Sequence, residues 1–198
     1  PDFRVRGLML DIGRNKIPSM DTIYALIDRM SELKYNHLQL YMEGYCFEYE
    51  KYRSSFPDET PISAEEFRAL DAYARSRFID LVPNQNCLGH MGAWLAKPEF
   101  RDLAEHPEGL PSLMNPNASR ATTLNPIDPG SVQLIEDLFS ELLPQFTSSY
   151  ANINLDEPFG LGKGKSKERA DEIGLGKLYL EYAERMFELV RSFGKKPL

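Results

Sequence analysis

Cysteine and histidine are scarce in this 198-residue sequence, which has two of the first and three of the second. Cys46 and Cys87 are too few for a disulfide framework and form no C-x-x-C pair. The histidines form neither an H-E-x-x-H nor an H-x-H group, the spacings typical of zinc sites. We therefore expect two free thiols, no metal site and no cofactor.

Long apolar runs and clusters of basic residues are also missing. No stretch approaches the roughly 20 consecutive apolar residues of a membrane helix, and the first residues lack the basic-then-apolar layout of a secretory signal. The formal net charge is -7, whereas nucleic-acid binding requires clustered Lys and Arg. We expect a soluble chain with no nucleic-acid or membrane partner and a neutral or weakly charged ligand. The cellular compartment stays open.

A regular alternation of strand and helix patterns is present instead. Apolar runs typical of strands with both faces covered occur at 5–12, 37–42, 79–86 and 150–157. Helical periodicity follows each run, with predicted N-terminal caps at Ser19 and Ser63 and a C-terminal stop at Gly194. A long polar region precedes the third helix. Strict alternation predicts parallel strands joined by right-handed crossovers.

Polar residues follow every predicted strand, and their distribution indicates the architecture. An open doubly wound sheet gathers its ligand residues at one switch point, whereas a barrel collects them from the C-terminal end of every strand. The polar residues in question are Asp11, Arg14, Glu43, Asn86, His90, Asp156 and Glu157. We therefore predict an α/β protein with the (β/α)8 TIM-barrel fold.

The length predicts that this barrel is incomplete, because a whole one needs about 250 residues. We expect residues 1–198 to form a single partial catalytic domain of about four to five βα units, truncated at the start of the fifth strand. A partial barrel leaves sheet edges unpaired. We expect the remainder of the barrel or a second copy to cover them.

Two neighbouring carboxylates, Asp156 and Glu157, end the fourth predicted strand. Burying them there without a role would be costly. Because neighbours on a strand point in opposite directions, they cannot lie on opposite faces of one sugar ring, as a protein nucleophile and an acid about 5–5.5 Å apart would require. If the substrate carries a 2-acetamido group, its carbonyl oxygen can attack the anomeric carbon instead. One carboxylate would then hold the acetamide N–H and the other would protonate the leaving oxygen.

Four segments together resemble family 20 glycoside hydrolases, the β-N-acetylhexosaminidases. They are RGLMLDIGR (6–14), DRMSELKYNHLQLY (28–41), IDLVPNQNCLGHMGAWL (79–95) and NINLDE (152–157). The resemblance spans nearly the whole chain and looks closest to a bacterial subgroup. It implies a carbohydrate substrate and a retaining hydrolase that removes terminal β-linked N-acetylglucosamine or N-acetylgalactosamine through an oxazolinium intermediate.

The resemblance also implies roles for the paired acids. Glu157 is the general acid and base, which must be protonated at the working pH. Asp156 stays ionised, orients the acetamido group and stabilises its positive charge. One departure is visible, since Asn152, Asn154 and Leu155 stand where the family commonly has His and then Gly-Gly.

Four further residues are expected to bind substrate or assist the acid. By resemblance, Arg6 matches an arginine that holds sugar hydroxyls, and His90 is similar to a relay beside the catalytic acid. Glu43 stands near the acidic residue that follows the family's second strand. Trp94, the only tryptophan, could stack on a sugar face or belong to the core.

Two alternatives stay open. The segment GLGKGKS (160–166) is similar to a nucleotide-binding P-loop, although Phe159 stands where G-x-x-x-x-G-K-[ST] requires glycine. The chain could also be a carbohydrate-binding fragment without turnover.

Overall fold

The computed structural model describes residues 2–14, 16–111 and 117–198. The strands and helices in chain order are β1 (Gly7–Asp11), α1 (Met20–Glu32), β2 (His37–Tyr41), α2 (Ala64–Ser76), β3 (Asp80–Val82), α3 (Gly92–Leu95), β4 (Leu110–Pro111), β5 (Ser119–Arg120), α4 (Pro129–Leu142), β6 (Tyr150–Ala151), α5 (Lys167–Ile173), α6 (Leu175–Ser192) and β7 (Lys196–Pro197). Short 3-10 helices cover Glu50–Ser55, Arg101–Leu103 and Leu143–Gln145.

The helices begin and end where their capping residues predict. The Ser19 side chain accepts a hydrogen bond from the backbone N–H of Thr22 at the start of α1. At α2, Ser63 and Glu66 form both bonds of a capping box, each side chain accepting from the other's backbone N–H. Gly194, with a φ of 74°, follows the end of α6. The predicted caps are confirmed.

The first three strands pair in parallel and in chain order. In the β1–β2 ladder Gly7 pairs with His37 and Asp11 with Tyr41, and in the β2–β3 ladder His37 pairs with Asp80. The carboxyl ends of these strands therefore meet at one edge of the sheet. The antiparallel pair β4–β5 lies in the long insertion between β3 and α4.

Parallel strand pairing continues beyond β3, but each pairing involves only one or two residues of each strand. One parallel bridge joins Asn84 to Asn152, and β6 pairs in parallel with β7. The observed β3 and β6 are shorter than the predicted strands at 79–86 and 150–157. Pro83 has no N–H to donate to a ladder, and Asn154 and Glu157 have φ values of 38° and 45°, outside the extended region. Among the described strands, the sheet does not close on itself.

The two faces of the parallel strands differ in chemistry. One face carries Leu38, Leu40 and Leu81, which are buried in the main hydrophobic core together with residues of α1, α2, α4 and α6. On the other face, the Gln39 Oε1 accepts hydrogen bonds from Asn84 Nδ2 at 2.8 Å and from Asn152 Nδ2 at 2.7 Å. Barrel interiors are usually filled by branched aliphatic side chains. Amides occupy that layer here.

Cys46 and Cys87 are buried free thiols, as predicted. Within the described ranges, no helix is both long and apolar enough to cross a membrane.

Candidate active site

Four of the six predicted site residues meet at the carboxyl ends of the parallel strands. His90 is the centre of this group. Its Nε2 lies 3.4 Å from Asp156 Oδ2 and 3.2 Å from Glu157 Oε2, and its Nδ1 lies 3.4 Å from Glu43 Oε2. The buried Nε2 makes no hydrogen bond of good geometry, and its contacts with the two acids are ion pairs only when the imidazole is protonated. One imidazole thus connects an acid that follows β2 with the acidic pair that follows β6.

The two acids of the pair share a neighbour because the backbone leaves the extended region. Glu157 has a φ of 45° and His90 a φ of 57°, and non-glycine residues adopt such values at a cost. The expectation that Asp156 and Glu157 point in opposite directions holds only for a regular strand. The turn at Glu157 ends that alternation, so both carboxylates reach the same nitrogen.

Gly89 permits the close approach of the two chain segments that carry the site. A Cβ atom at this position would overlap the backbone carbonyl oxygen of Asp156 and crowd that of Glu157. Glycine is therefore required here for space rather than for an unusual φ. The Gly-His pair acts as a unit, because Gly89 lets the acids come near and His90 contacts them.

Tyr41, which the sequence analysis did not select, contacts Asp156. Its hydroxyl donates to Asp156 Oδ2 at 3.4 Å and accepts a hydrogen bond from Asn86 Nδ2 at 2.9 Å. Burial raises the pKa of Tyr41 above its ordinary value, so the phenol remains a donor. Tyr41 is the last residue of β2, and that position at the strand's carboxyl end was the signal available in the sequence.

Arg14, not Arg6, is the arginine of the site. Arg14 Nε lies 2.8 Å from Glu43 Oε2 and 3.3 Å from Asp11 Oδ2. The hydrogen bond to Glu43 raises the pKa of Arg14 above its already high ordinary value. The guanidinium therefore holds Glu43 in place, and Glu43 in turn contacts His90.

Arg6 lies at the opposite end of β1, where its Nε donates to the backbone carbonyl of Lys34 at 2.6 Å. Its backbone N–H donates to Asn36 Oδ1 at 2.8 Å. Because Arg6 precedes a strand whose carboxyl end carries the site, the strand separates the two. The structure therefore does not bring Arg6 to the other predicted site residues.

Trp94 is also placed elsewhere. Its side chain is completely buried, and its ring packs against Phe56, Tyr49 and Tyr52 with centroid distances of 4.9, 5.6 and 5.6 Å. Edge-to-face contacts of this kind stabilise a core. No face of the indole is free for a sugar, and the structure does not bring Trp94 to the other predicted site residues.

The glycine-rich loop at 160–166 binds a side chain of the protein itself. The Glu105 carboxylate accepts hydrogen bonds from the backbone N–H groups of Gly164 and Ser166 and from the Ser166 hydroxyl. A P-loop offers such groups to phosphate. Because a buried carboxylate already occupies the position, the nucleotide-binding alternative has no structural support.

Comparison with known proteins places this arrangement in a family. Residues 3–194 match the profile described as "Glycosyl hydrolase family 20, catalytic domain". The chain belongs to glycosyl hydrolase family 20. Its similarity to the beta-hexosaminidase subunit A1 of Dictyostelium discoideum is 28% identity, over 79% of this chain and 29% of that protein. With a beta-hexosaminidase of Vibrio furnissii it shares 26% identity, over 99% of this chain and 36% of the relative.

Solved structures of family 20 share the fold. A chitobiase from Flavobacterium johnsoniae superposes with a TM-score of 0.84 at 23% identity, covering 100% of this chain and 31% of its own. An exo-β-N-acetylglucosaminidase from Vibrio harveyi, solved in complex with N-acetylglucosamine, gives 0.80 at 22% identity, covering 100% and 35%. The fold is thus that of a TIM-barrel-type catalytic domain. The chain spans about a third of the length of the relatives it matches.

One departure from the common family 20 pattern has a structural explanation. Asn154 stands where the first glycine of Gly-Gly-Asp-Glu is commonly found, and its φ is 38°. Asparagine tolerates the left-handed region better than most residues that carry a Cβ. Its side-chain amide donates to Asn84 Oδ1. The glycine-like backbone is therefore retained, while a side chain is added to the amide layer inside the sheet.

Among the described residues, no group of three or more His, Cys, Asp or Glu side chains is arranged to hold a metal ion.

Proposed function

We propose that the protein carrying this chain removes terminal β-linked N-acetylhexosamine with retention of configuration, using the 2-acetamido group of the substrate as nucleophile. The observation that carries the proposal is the convergence of Asp156 and Glu157 on one nitrogen of His90. Two side-by-side carboxylates suit a mechanism in which the substrate itself attacks the anomeric carbon. The names of the relatives, beta-hexosaminidases, support the same substrate class.

Glu157 is the general acid and base in this proposal. It protonates the leaving oxygen as the acetamide carbonyl oxygen forms its bond to the anomeric carbon and the glycosidic bond breaks. It then takes a proton from the water that opens the oxazolinium ring, so that two inversions give net retention. His90 lies between Glu157 and Glu43, where its imidazole is placed to relay a proton between the two carboxylates.

Asp156 holds the acetamide N–H and stabilises the positive charge that develops on the oxazolinium ring. The hydrogen bond from Tyr41 holds one carboxylate oxygen in position. The other oxygen is available to the substrate. A preorganised negative charge of this kind stabilises the transition state more than the ground state.

The chain itself forms a partial barrel domain in this proposal, with four strand–helix units and the start of a fifth strand at β7. The Asp156 and Glu157 side chains are 48% and 60% exposed, as expected when the loops of further strands complete the pocket. Leu8 and Met9 on β1 are exposed apolar side chains at a sheet edge. The remainder of the barrel or a second copy would cover them.

The test compares two substrates in the whole protein. A chromogenic N-acetyl-β-glucosaminide should be hydrolysed and the β-glucoside with the same leaving group should not, because the glucoside has no acetamido group. Retention is checked by following the anomeric configuration of the first-formed product. Equal rates on the two substrates would rule out substrate participation, and binding without turnover would indicate a carbohydrate-binding protein instead.

A further inference from the structure

The carboxylate of Glu105 is completely buried and accepts hydrogen bonds at both oxygens, although it takes no part in the proposed chemistry. Its exposed fraction is 0%. Oε1 accepts from the Gly164 N–H at 3.0 Å and from the Ser166 hydroxyl at 2.7 Å, and Oε2 accepts from the Ser166 N–H at 3.2 Å. Burial of an ionised group is tolerated only with such partners. The loop therefore supplies the donors that this carboxylate requires.

The backbone around Glu105 is attached to the same loop. The Lys165 N–H donates to the Glu105 carbonyl oxygen at 3.0 Å. A Cβ atom at Gly164 would overlap that oxygen, so the two backbones approach as closely as glycine allows. The far end of the loop, residues 164–166, is thus held by both the side chain and the backbone of Glu105.

The segment that leads into this loop begins at Glu157, the proposed acid. Glu157 turns the chain through its φ of 45°, and the Phe159 N–H donates back to the Glu157 carbonyl oxygen at 2.7 Å. Thr123 Oγ1 then donates to the Phe159 carbonyl oxygen, and His106 Nε2 lies 2.9 Å from the Gly160 carbonyl oxygen. The path of the chain out of Glu157 is therefore determined by contacts with the insertion that contains Glu105 and His106.

We propose that Glu105 is a positioning residue, whose carboxylate occupies an anion-binding nest in the loop 160–166 and thereby fixes the orientation of Glu157. The inference rests on the proposed function, since it assigns Glu105 a task in placing the acid. Glu105 touches neither the substrate nor the reacting atoms. It acts through the loop 160–166. In a P-loop, the corresponding backbone N–H groups would bind a phosphate instead.

The first experiment replaces the carboxylate in the whole protein. Glu105→Ala should lower kcat by about 10- to 100-fold and leave KM within about threefold, because a displaced acid slows proton transfer more than it weakens binding. Added formate should restore part of kcat and raise Tm by entering the vacated nest, whereas equal chloride should not. Glu108→Ala is the matched control, since Glu108 is an exposed carboxylate of the same segment.

A milder variant keeps the inference testable if Glu105→Ala does not fold. Ser166→Ala removes one of the three donors and should lower kcat by about two- to fivefold with unchanged KM, since one hydrogen bond to a charged group is lost. Unchanged kcat in a folded Glu105→Ala or Ser166→Ala protein would overturn the inference. Parallel losses explained entirely by a smaller folded fraction would also overturn it.

The experiment with added formate distinguishes a failure of this inference from a failure of the proposed function. If the wild-type protein hydrolyses no N-acetylhexosaminide, the proposed function fails, yet a formate-specific rise in the Tm of Glu105→Ala would still establish the nest. If the wild type is active and formate restores neither kcat nor Tm, the proposed function stands and the role of Glu105 fails.

Discussion

The chain contains two acidic centres that use their carboxylates in opposite ways. Glu105 is completely buried, and three donors of the 160–166 loop hydrogen-bond to its two carboxylate oxygens. Asp156 and Glu157 are about half exposed, and the His90 Nε2 between them has no hydrogen-bond partner. A carboxylate satisfied by its own chain stabilises structure, whereas carboxylates with unused oxygens beside an unsatisfied imidazole are free to act on a ligand. Four substitutions test this contrast and the position of the site.

The largest effect is expected at Glu157. Glu157→Gln in the whole protein should lower kcat on an N-acetyl-β-glucosaminide by about 10²- to 10⁴-fold, the usual contribution of a general acid. Its free energy of unfolding should change by less than about 0.5 kcal/mol, because the side chain is exposed. Steady-state kinetics and urea denaturation measure the two quantities. A near-wild-type rate would refute the assignment of Glu157.

An intermediate effect, on stability, is expected at Glu105. Glu105→Gln should lower the free energy of unfolding by about 2 kcal/mol, because the new amide N–H group faces N–H donors inside the protein. Urea denaturation followed by circular dichroism measures the loss. If Glu105→Gln proved as stable as Glu157→Gln, the contrast between a structural and a functional carboxylate would fail.

The smallest effects separate the two arginines that flank β1, Arg6 and Arg14. Arg14→Ala should lower kcat/KM by about tenfold, equivalent to roughly 1.4 kcal/mol, since Glu43 would lose its charged partner. Arg6→Ala, at the other end of the strand, should leave kcat/KM within about twofold of wild type. Equal losses for both variants would contradict the position of the site at the carboxyl ends of the strands.

Much of the fold follows from local sequence signals. The spacing of apolar residues and the caps at Ser19 and Ser63 predict helices that the structure contains, because both signals act within one or two turns. Parallel pairing follows from strict alternation. The acidic pair and His90 were also predictable, since they follow strands whose carboxyl ends share one edge of the sheet.

Other features depend on tertiary structure and escaped prediction. The burial of Trp94 results from aromatic neighbours that come from distant segments, which periodicity does not reveal. The left-handed turn at Glu157 runs against the preference of glutamate and leads into a loop held by distant segments of the chain. Glu105 meets its donors about 60 residues later in the chain, beyond the reach of local patterns. Arg14 follows β1 and Arg6 precedes it, a difference that the sequence alone contains.

The amide layer formed by Gln39, Asn84 and Asn152 restricts what can face it across a completed barrel. Each of these amides hydrogen-bonds to another member of the layer, and an amide has further donor and acceptor capacity that a dry, aliphatic environment would leave unused. Strands that oppose this layer must bring hydroxyl, amide or charged side chains, or leave room for ordered water. We therefore expect the interior of the completed barrel beneath the acidic pair to be lined by polar rather than aliphatic side chains.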